Sequence, residues 1–174
     1  SRENGVAIWN GMLVDITEQK QIAEELRISE ERFRRLFDSA GFGIAGTDHT
    51  GTIRETNPAF QRMLQYSADE LRGMTWASIT HPDDVERGAS LVADAHEVSS
   101  SGVHFEKRYI RKNGETIWAR LSVVEIPGDQ GEPSQFFGIA EDVTERRRNE
   151  ERIRESETLY RTLFESSGEG LYLI

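Results

Sequence analysis

The sequence predicts an α+β domain with a long, charged helix on either side. Three observations support this prediction: a fixed internal repeat, a group of short capped helices in the middle of the chain, and long extended segments in its last third. The 37 residues from Gly11 match the 37 from Gly138 at a constant offset of 127, with fourteen identities. Because repetition at a fixed period marks repeated structural units, we expect one complete unit between the tail of one neighbour and the head of the next.

The repeat divides the chain into five segments. We expect the last strand of a preceding unit at 1–14, a connector helix at 15–38, a complete domain at 39–144, a second connector helix at 145–166, and the first strand of a following unit at 167–174. A strand without its sheet is poorly anchored. The two terminal fragments are therefore expected to need a neighbouring unit or another molecule.

The amino-acid composition argues against several classes of partner and chemistry. Charged residues make up 30% of the chain, and the net charge is −10. Nucleic acid is not an expected partner, because binding it requires Lys and Arg to neutralise phosphates; the three arginines at 146–148 are interpreted as a solvated helix face. No apolar run approaches the ~20 residues that span a bilayer. The absence of cysteine excludes thiolate chemistry and favours a cytoplasmic protein, although a longer chain could still be tethered to a membrane.

The two connector helices carry a thin apolar seam with heptad spacing. In the first helix the seam consists of Ile22, Leu26, Ser29, Phe33 and Leu36, and in the second it consists of Asn149, Ile153, Ser156, Tyr160 and Leu163. A helix of about 20 residues that is otherwise charged buries too little surface to be stable alone. Either a two-stranded coiled coil or the face of its own domain would complete it, and the polar seam positions would fix register at some cost in stability.

Each connector begins at an Asp-x-Thr-Glu sequence, which occupies residues 15–18 and 142–145. The aspartate can act as the N-cap with the glutamate three residues on, which is the spacing of a capping box. In the alternative, the threonine is the cap itself. The sequence leaves both arrangements open.

The segment 41–46 matches the G-x-G-x-x-G pattern of dinucleotide-binding loops. That pattern binds a pyrophosphate only where a strand precedes it and a helix follows, and here a helix precedes it. We therefore interpret the glycines as a break between a helix and an edge strand. A turn at 47–51 then leads into a strand at 52–55.

Three short helices follow, and each has its own start signal. Asn57 precedes a first-turn proline, Ser67 and Glu70 form a capping box, and the sequence His-Pro-Asp-Asp at 81–84 begins a helix that runs to about residue 99. The residues that this third helix turns inward are predicted to be Val85, Leu91, Val92 and Ala95. Acidic residues at a helix start satisfy unpaired amides and the helix dipole, so we interpret 81–84 structurally and not as a metal or acid–base site.

The last third of the chain predicts a hairpin and a final strand. Extended runs at 103–111 and 116–126 flank a Lys-Asn-Gly turn. A three-residue loop with Gly114 in the left-handed conformation places one apolar set on a single face: Val103, Phe105, Tyr109, Ile117, Ala119, Leu121 and Val123. A two-residue loop would split that set between the two faces, so we predict the longer loop. The final strand, at 135–141, alternates Phe136, Gly138 and Ala140 inward.

This order of elements resembles that of a PAS domain. Four motifs carry the resemblance: Asn-Pro-Ala-Phe at 57–60, His-Pro-Asp-Asp at 81–84, Arg-Lys-Asn-Gly at 111–114, and the terminal Asp-Val-Thr at 142–144. The resemblance covers 33–144 and implies a five-stranded antiparallel sheet that cups a pocket closed by short helices. It also implies a bacterial signalling protein that senses a ligand, the redox state of a cofactor, or light.

The resemblance further implies how a signal would leave the domain. The family's Asp-x-Thr joins the last strand to the outgoing helix, and in this sequence it is Asp142 and Thr144, with Asp15 and Thr17 for the unit before. The connector helices would form a homodimer and pass the signal to adjacent PAS units and to a histidine kinase or cyclic-di-nucleotide output domain. No nucleophile elbow or Walker loop is present, so no enzyme activity is expected in this segment.

The resemblance also restricts the cofactor. Light-sensing members that form a flavin adduct need a cysteine, which this chain lacks. Oxygen-sensing haem members carry an axial histidine at about the position of Leu91, and His96 is interpreted as a solvent-facing helical residue. Non-covalent flavin stays open, although we expect no resident cofactor.

The predicted pocket lining is the candidate site. It comprises Ile44, Phe60, Met63, Leu64, Leu91, Phe105, Tyr109, Ile117, Leu121, Val123, Phe136 and Gly138. In the alternative, these residues simply fill a core. Two functions follow: a module that senses a small molecule through the pocket, and a passive dimerisation or spacer module that binds nothing.

Overall fold

The structure is a computed structural model that describes residues 2–3, 6–7, 16–94, 102–128 and 132–166. The chain forms two units, Ser1–Phe37 and Asp38–Ile174. In the first unit, strands β1 (Arg2–Glu3) and β2 (Val6–Ala7) pair with each other in antiparallel fashion. The rest of the predicted strand at 1–14, the cap residue Asp15 and the predicted strand at 167–174 lie outside the described residues.

Helix α1 (Thr17–Ser39) has no buried residue. Its predicted seam residues Ile22, Leu26, Phe33 and Leu36 are each more than half exposed. The rings of Phe33 and Phe37 stack at 5.8 Å between centroids. This exposure agrees with the expectation that the helix needs a partner surface, because burial of an apolar face supplies most helix stability in proteins.

The second unit contains a five-stranded antiparallel sheet, as the fold class predicted. Its strands are β3 (Gly43–Thr47), β4 (Ile53–Thr56), β5 (Val103–Ile110), β6 (Thr116–Ile126) and β7 (Gln135–Asp142), in the order β4-β3-β7-β6-β5. The interpretation of the glycine-rich segment as an edge strand was wrong, since β3 pairs with β4 on one side and β7 on the other. The edges of this sheet are β4 and β5.

Short helices cover one face of the sheet. They are α2 (Pro58–Leu64), α3 (Ala68–Leu71), a 3₁₀ turn (Trp76–Ile79) and α4 (Pro82–Asp94). The Asn57 side chain caps α2: its Oδ1 accepts from the amides of Phe60 and Ile44, at 2.9 and 2.8 Å, and its Nδ2 donates to the Phe42 carbonyl at 3.0 Å. The predicted capping box of Ser67 is present at α3.

The hairpin between β5 and β6 has the predicted three-residue loop. The Arg111 amide donates to the Glu115 carbonyl at 2.8 Å, and Gly114 takes a φ of 86°, which favours glycine. Phe105 therefore pairs with Leu121, in the register that places one apolar set on the inner face. The core fills the space between this face and the helices, and its largest fully buried apolar side chains are Phe60, Ile53, Leu64, Leu71, Ile79 and Ile117.

Candidate ligand cavity and helix joint

A cavity of about 320 Å³ lies between the inner face of the sheet and the helices. Its volume is at the lower end of the range found for small-molecule sites. The lining residues are Ala45, Thr47, His49, Thr50, Gly51, Ile53, Phe60, Trp76, Ile79, Gly88, Ala89, Val92, Ala93, Phe105, Lys107, Tyr109, Leu121, Val123, Phe136 and Gly138. Most of these residues are apolar, so the cavity favours a ligand with an apolar body.

Seven of the twelve predicted lining residues border this cavity. They are Phe60, Phe105, Tyr109, Leu121, Val123, Phe136 and Gly138. Their role as ligand contacts stays a prediction. The hairpin register and the inward alternation of β7 bring six of them together, and α2 supplies Phe60.

The other five predicted residues are not part of the lining. Ile44 pairs with Ile139 and lies on the opposite face from its neighbour Ala45, because successive residues of a strand alternate. The residues of α4 that line the cavity are Gly88, Ala89, Val92 and Ala93, which share one face of the helix. Leu91 lies on another face. Leu64 and Ile117 are fully buried in the packed core, and Met63 packs against that core.

The most polar wall of the cavity is formed by Lys107, which is not among the predicted lining residues. The Lys107 side chain is 5% exposed, and its ammonium nitrogen donates to Thr80 Oγ1 at 3.0 Å. The same nitrogen lies 4.7 Å from the ring centroids of both Trp76 and Tyr109, within cation–π range. Among the described residues no carboxylate lies within 4.0 Å of it. Burial therefore lowers the pKa of Lys107 to about 7, although the charge of Asp84 opposes this change.

Strand periodicity contained a signal for this lysine. Alternate residues of a strand share a face, so a strand that turns Phe105 and Tyr109 inward also turns the residue midway between them inward. That residue is Lys107. Residue type argues against this position, because lysine is almost never fully buried without a partner.

The elements around Lys107 hold it firmly in place. Thr80 Oγ1 donates to the Trp76 carbonyl at 2.7 Å, so this hydroxyl presents its oxygen to the lysine. At the start of α4, Asp84 Oδ2 accepts from the amide of Arg108 at 2.7 Å and from its Nε at 3.0 Å. This pairing with the guanidinium lowers the pKa of Asp84 to about 2. Asp84 thus fastens α4 to the edge strand β5, which is a structural role other than the predicted one of satisfying the helix's own amides.

The Trp76 indole packs directly onto the backbone of the β3–β4 turn. A Cβ atom on Gly51 would lie 2.5 Å from the indole Nε1, and Gly51 also takes a φ of 80°. Only glycine meets both conditions. The turn and the 3₁₀ helix therefore close this side of the cavity together.

The end of β7 forms a compact joint with helix α5 (Thr144–Ser166). Thr144 Oγ1 accepts from the Trp118 amide at 2.9 Å, and the Val143 amide donates to the Trp118 carbonyl at 2.9 Å. These two bonds continue the β6–β7 ladder into the first residue of the helix. Asp142 Oδ1 accepts from the Thr144 amide, and Asp142 Oδ2 accepts from Arg111, each at 2.9 Å.

This geometry decides between the two predicted cap arrangements. The helix starts at Thr144, and its first hydrogen bond runs from the Arg147 amide to the Val143 carbonyl. The Asp142 side chain satisfies the Thr144 amide from one residue further back, and the threonine lies in the first turn. The predicted capping box was wrong, because Glu145 pairs with Arg148 at 2.8 Å instead of reaching back. The hydroxyl of Thr144 fastens the helix to the sheet.

The prediction of a solvated face at 146–148 holds for Arg146 and Arg148, whose side chains are at least half exposed, but not for Arg147. The Arg147 guanidinium lies 3.9 Å from the centroid of the Trp118 ring and pairs with Glu106 at 3.5 Å. Arg146 lies 3.9 Å from the same carboxylate. These contacts hold the first turns of α5 against the outer face of the sheet. Further along, Ile153, Tyr160 and Leu163 are each more than half exposed.

The donor set of the cavity can be compared with the cofactors considered above. Among the described lining residues there is one amine and no side-chain amide, so the hydrogen-bonding edge of a flavin finds few partners. His49 is the one histidine of that lining and is exposed, whereas His96 lies outside the described residues. Within the described ranges no group of three or more metal-ligating side chains occurs, and no helix there has the length and apolar character of a membrane-spanning segment.

An antiparallel sheet that cups a cavity under short helices and continues into a long helix defines a domain of the sensory α+β class. The family model "PAS fold" matches residues 31–143, and the chain belongs to this family. The PAS domain of a protein from Colwellia psychrerythraea has the same fold, with a TM-score of 0.62 and 27% identity over 68% of this chain and 98% of that one.

Two curated relatives are longer signalling proteins. The chain is 33% identical over 134 residues to the probable diguanylate cyclase DgcE of Escherichia coli (strain K12), which covers 77% of this chain and 12% of that protein. It is 30% identical over 155 residues to the sensor histidine kinase TmoS of Ectopseudomonas mendocina, which covers 88% of this chain and 16% of that protein. The chain thus spans less than a fifth of either relative.

Proposed function

We propose that this PAS domain is the sensory and signal-relay module of a bacterial signalling protein with a histidine kinase or diguanylate cyclase output domain. The cavity would bind a small molecule, and the Asp142–Thr144 joint would transmit the state of the cavity to α5. Two relatives named as a diguanylate cyclase and a sensor histidine kinase support the kind of output. Catalysis would then belong to the output domain and not to this segment.

One observation carries the proposal: a single strand borders the cavity and leads into the joint. Phe136 and Gly138 of β7 line the cavity, and Asp142 at the end of the same strand caps α5. β7 is paired along its length with β3 and β6. A paired strand moves as a unit, so a shift at Gly138 would reach Asp142 without passing through a loop.

Arg111 offers a parallel connection to the joint. Its Nε donates to the Met63 carbonyl at the end of α2 at 2.9 Å, and its other nitrogens pair with Glu115 at 2.7 Å and Asp142 at 2.9 Å. Helix α2 supplies Phe60 to the cavity wall. A change in the cavity would therefore be felt at Asp142 from two sides.

The connector helices would receive the signal as a homodimer. The apolar seam residues of α1 and α5 are exposed within one chain, which leaves them available to a second copy. A ligand changes such an assembly only if it binds two arrangements unequally, by about 1.4 kcal/mol for each tenfold shift. A marginal helix pair responds to differences of that size.

The lack of native cysteine allows a direct test by disulfide cross-linking. A single Ile153→Cys substitution reports on the pairing of α5. A Cβ on Gly138 would meet its nearest atoms at 3.9 and 4.0 Å, which is ordinary contact, so Gly138→Leu is a cavity-filling substitution and Gly138→Ala is its matched control. We expect Gly138→Leu to change the cross-linking rate at least about fivefold, and the added Asp142→Ala substitution to abolish the change.

A passive spacer gives a different result. Equal cross-linking rates for Gly138→Leu and Gly138→Ala, or an effect that persists in Asp142→Ala, would contradict transmission through the joint. Mass spectrometry of the denatured, purified chain provides a second measure: a stoichiometric small molecule supports sensing, and its absence favours the spacer.

A further inference from the structure

Lys107 is the one lysine or arginine among the lining residues of the described cavity. It contacts one hydroxyl and two aromatic rings, and no described carboxylate lies within 4.0 Å of it. A buried ammonium in an apolar wall is costly unless an anion accompanies it. The buried amine of Lys107 therefore lowers the stability of the fold, and it is well placed to bind an anionic group of a ligand.

From this geometry, and resting on the proposed sensory function, we propose that the cavity binds a small amphiphilic carboxylic acid. Its carboxylate pairs with Lys107, and its apolar body lies against Phe105, Val92 and Phe136. Each of these three side chains lines the cavity and is only partly buried, so each leaves surface for a ligand to cover.

The surroundings of the amine select a carboxylate over other anions. One ammonium supplies one positive charge, and Thr80 Oγ1 is already committed as a donor to the Trp76 carbonyl. A phosphate dianion carries more charge and more acceptor oxygens than this single cation can satisfy. A monocarboxylate matches the charge and forms a charge-assisted hydrogen bond of the stronger kind.

The size of the cavity restricts the apolar body. A volume of about 320 Å³ equals that of roughly ten water molecules at ~30 Å³ each. A medium-chain fatty acid or an arylalkanoic acid is of this order, whereas a long-chain lipid exceeds it. Octanoate and 3-phenylpropionate are suitable probes of the two shapes.

Binding of such an acid should be linked to a proton. Asp84 on α4 acts on the charge of Lys107, the ring of Tyr109 on its own strand contacts it, and His49 on the β3–β4 turn lines the same cavity. Asp84 is held ionised by Arg108, and burial raises the pKa of Tyr109, so neither changes charge near neutral pH. A bound carboxylate favours the ammonium form of Lys107, and a complex formed at pH 8 therefore takes up a proton.

The test compares octanoate with 1-octanol, which has the same body and no charge, in the wild-type chain and in Lys107→Met. Calorimetry at pH 7 is expected to show octanoate bound about ten- to a hundredfold more weakly by the variant, with 1-octanol changed less than threefold. At pH 8, octanoate binding to the wild type is also measured in two buffers that differ in ionisation enthalpy. The difference between the two binding enthalpies should correspond to net uptake of protons by the complex. That second reading needs no substitution and stands even if Lys107→Met fails to fold.

Three results would overturn the assignment. They are equal affinity of the wild type for octanoate and 1-octanol, unchanged octanoate affinity in Lys107→Met, and no binding of either octanoate or 3-phenylpropionate. If one of these three results is found while 1-octanol or a co-purified neutral molecule binds in the cavity, the carboxylate assignment fails and the sensory function survives. If no molecule occupies it and Gly138→Leu leaves α5 cross-linking unchanged, the sensory function fails as well.

Discussion

Lys107 and Thr144 are both buried polar residues of the second unit, at 5% and 7% exposure, but their surroundings differ. Thr144 bonds the backbone of Trp118 and is capped by Asp142, so its polar groups are satisfied from within the chain. Lys107 has one hydroxyl and two ring faces around a group that carries charge. Thr144 thus fixes the structure of the joint, whereas the amine of Lys107 is the group that we propose a ligand compensates.

The largest loss of stability is expected from removing the buried side chain whose hydrogen bonds are most completely satisfied. Asn57 is fully buried, and its side chain accepts from two amides of different elements and donates to the Phe42 carbonyl. Asn57→Ala should lower the free energy of unfolding by about 3 kcal/mol, at about 1 kcal/mol for each lost bond. Urea denaturation followed by circular dichroism measures this change.

The control for Asn57 is a cap on the surface. Ser67 caps α3 through an exposed capping box, and Ser67→Ala should cost about 1 kcal/mol or less. If the two variants lose the same stability, burial does not separate these caps and the comparison fails.

A smaller effect is expected at the joint. Thr144→Val keeps the shape of the side chain and removes the oxygen that accepts from the Trp118 amide. An unpaired buried donor costs about 1–3 kcal/mol, so we expect a loss near 2 kcal/mol together with faster amide exchange at Trp118. Thr158→Val is the matched control, because that hydroxyl lies on the exposed part of α5.

A different kind of effect, a change of stability with pH, is expected at Lys107. Its folded pKa of about 7 lies below the ordinary value of 10.5, so the unfolded chain binds more protons between these two values. The stability of the wild type should therefore rise relative to Lys107→Met above pH 7, by about 1.4 kcal/mol for each pH unit. Below pH 7 the burial penalty is fully present and the difference should be flat.

Paired urea denaturation of both chains from pH 6 to pH 9 measures this slope. Other titrating groups are shared by the two chains and cancel in the difference. If the difference in free energy of unfolding between the two chains is constant across this range, Lys107 keeps its ordinary pKa and its amine is solvated.

Local patterns predicted much of this fold. The capping box at Ser67, the Asn57 cap and the three-residue loop at Gly114 all follow from residue types at short spacing, and the loop alone determines which residues of the hairpin face inward. Strand order is a long-range property. The place of β3 between β4 and β7 could not be read from its own glycines.

The candidate site was predicted in part for the same reason. Apolar residues on the inner face of β5, β6 and β7 were found from alternation, while Ile44 and Leu91 were assigned to the wrong faces of their elements. Trp76 reaches the cavity only because Gly51 lets the indole approach a turn 25 residues earlier in the chain. That contact has no signature in local sequence.

The central claim is that β7 carries the state of the cavity into the first turn of α5. Hydrogen exchange of single amides tests it most directly, because the Val143 amide bonds Trp118 and the Arg147 amide bonds the Val143 carbonyl, both at 2.9 Å. Between Gly138→Leu and Gly138→Ala, we expect protection at Val143 and Arg147 to differ at least about fivefold, with Leu71 of α3 unchanged. Identical protection at Val143 and Arg147, with a change confined to β7 around residue 138, would contradict the claim.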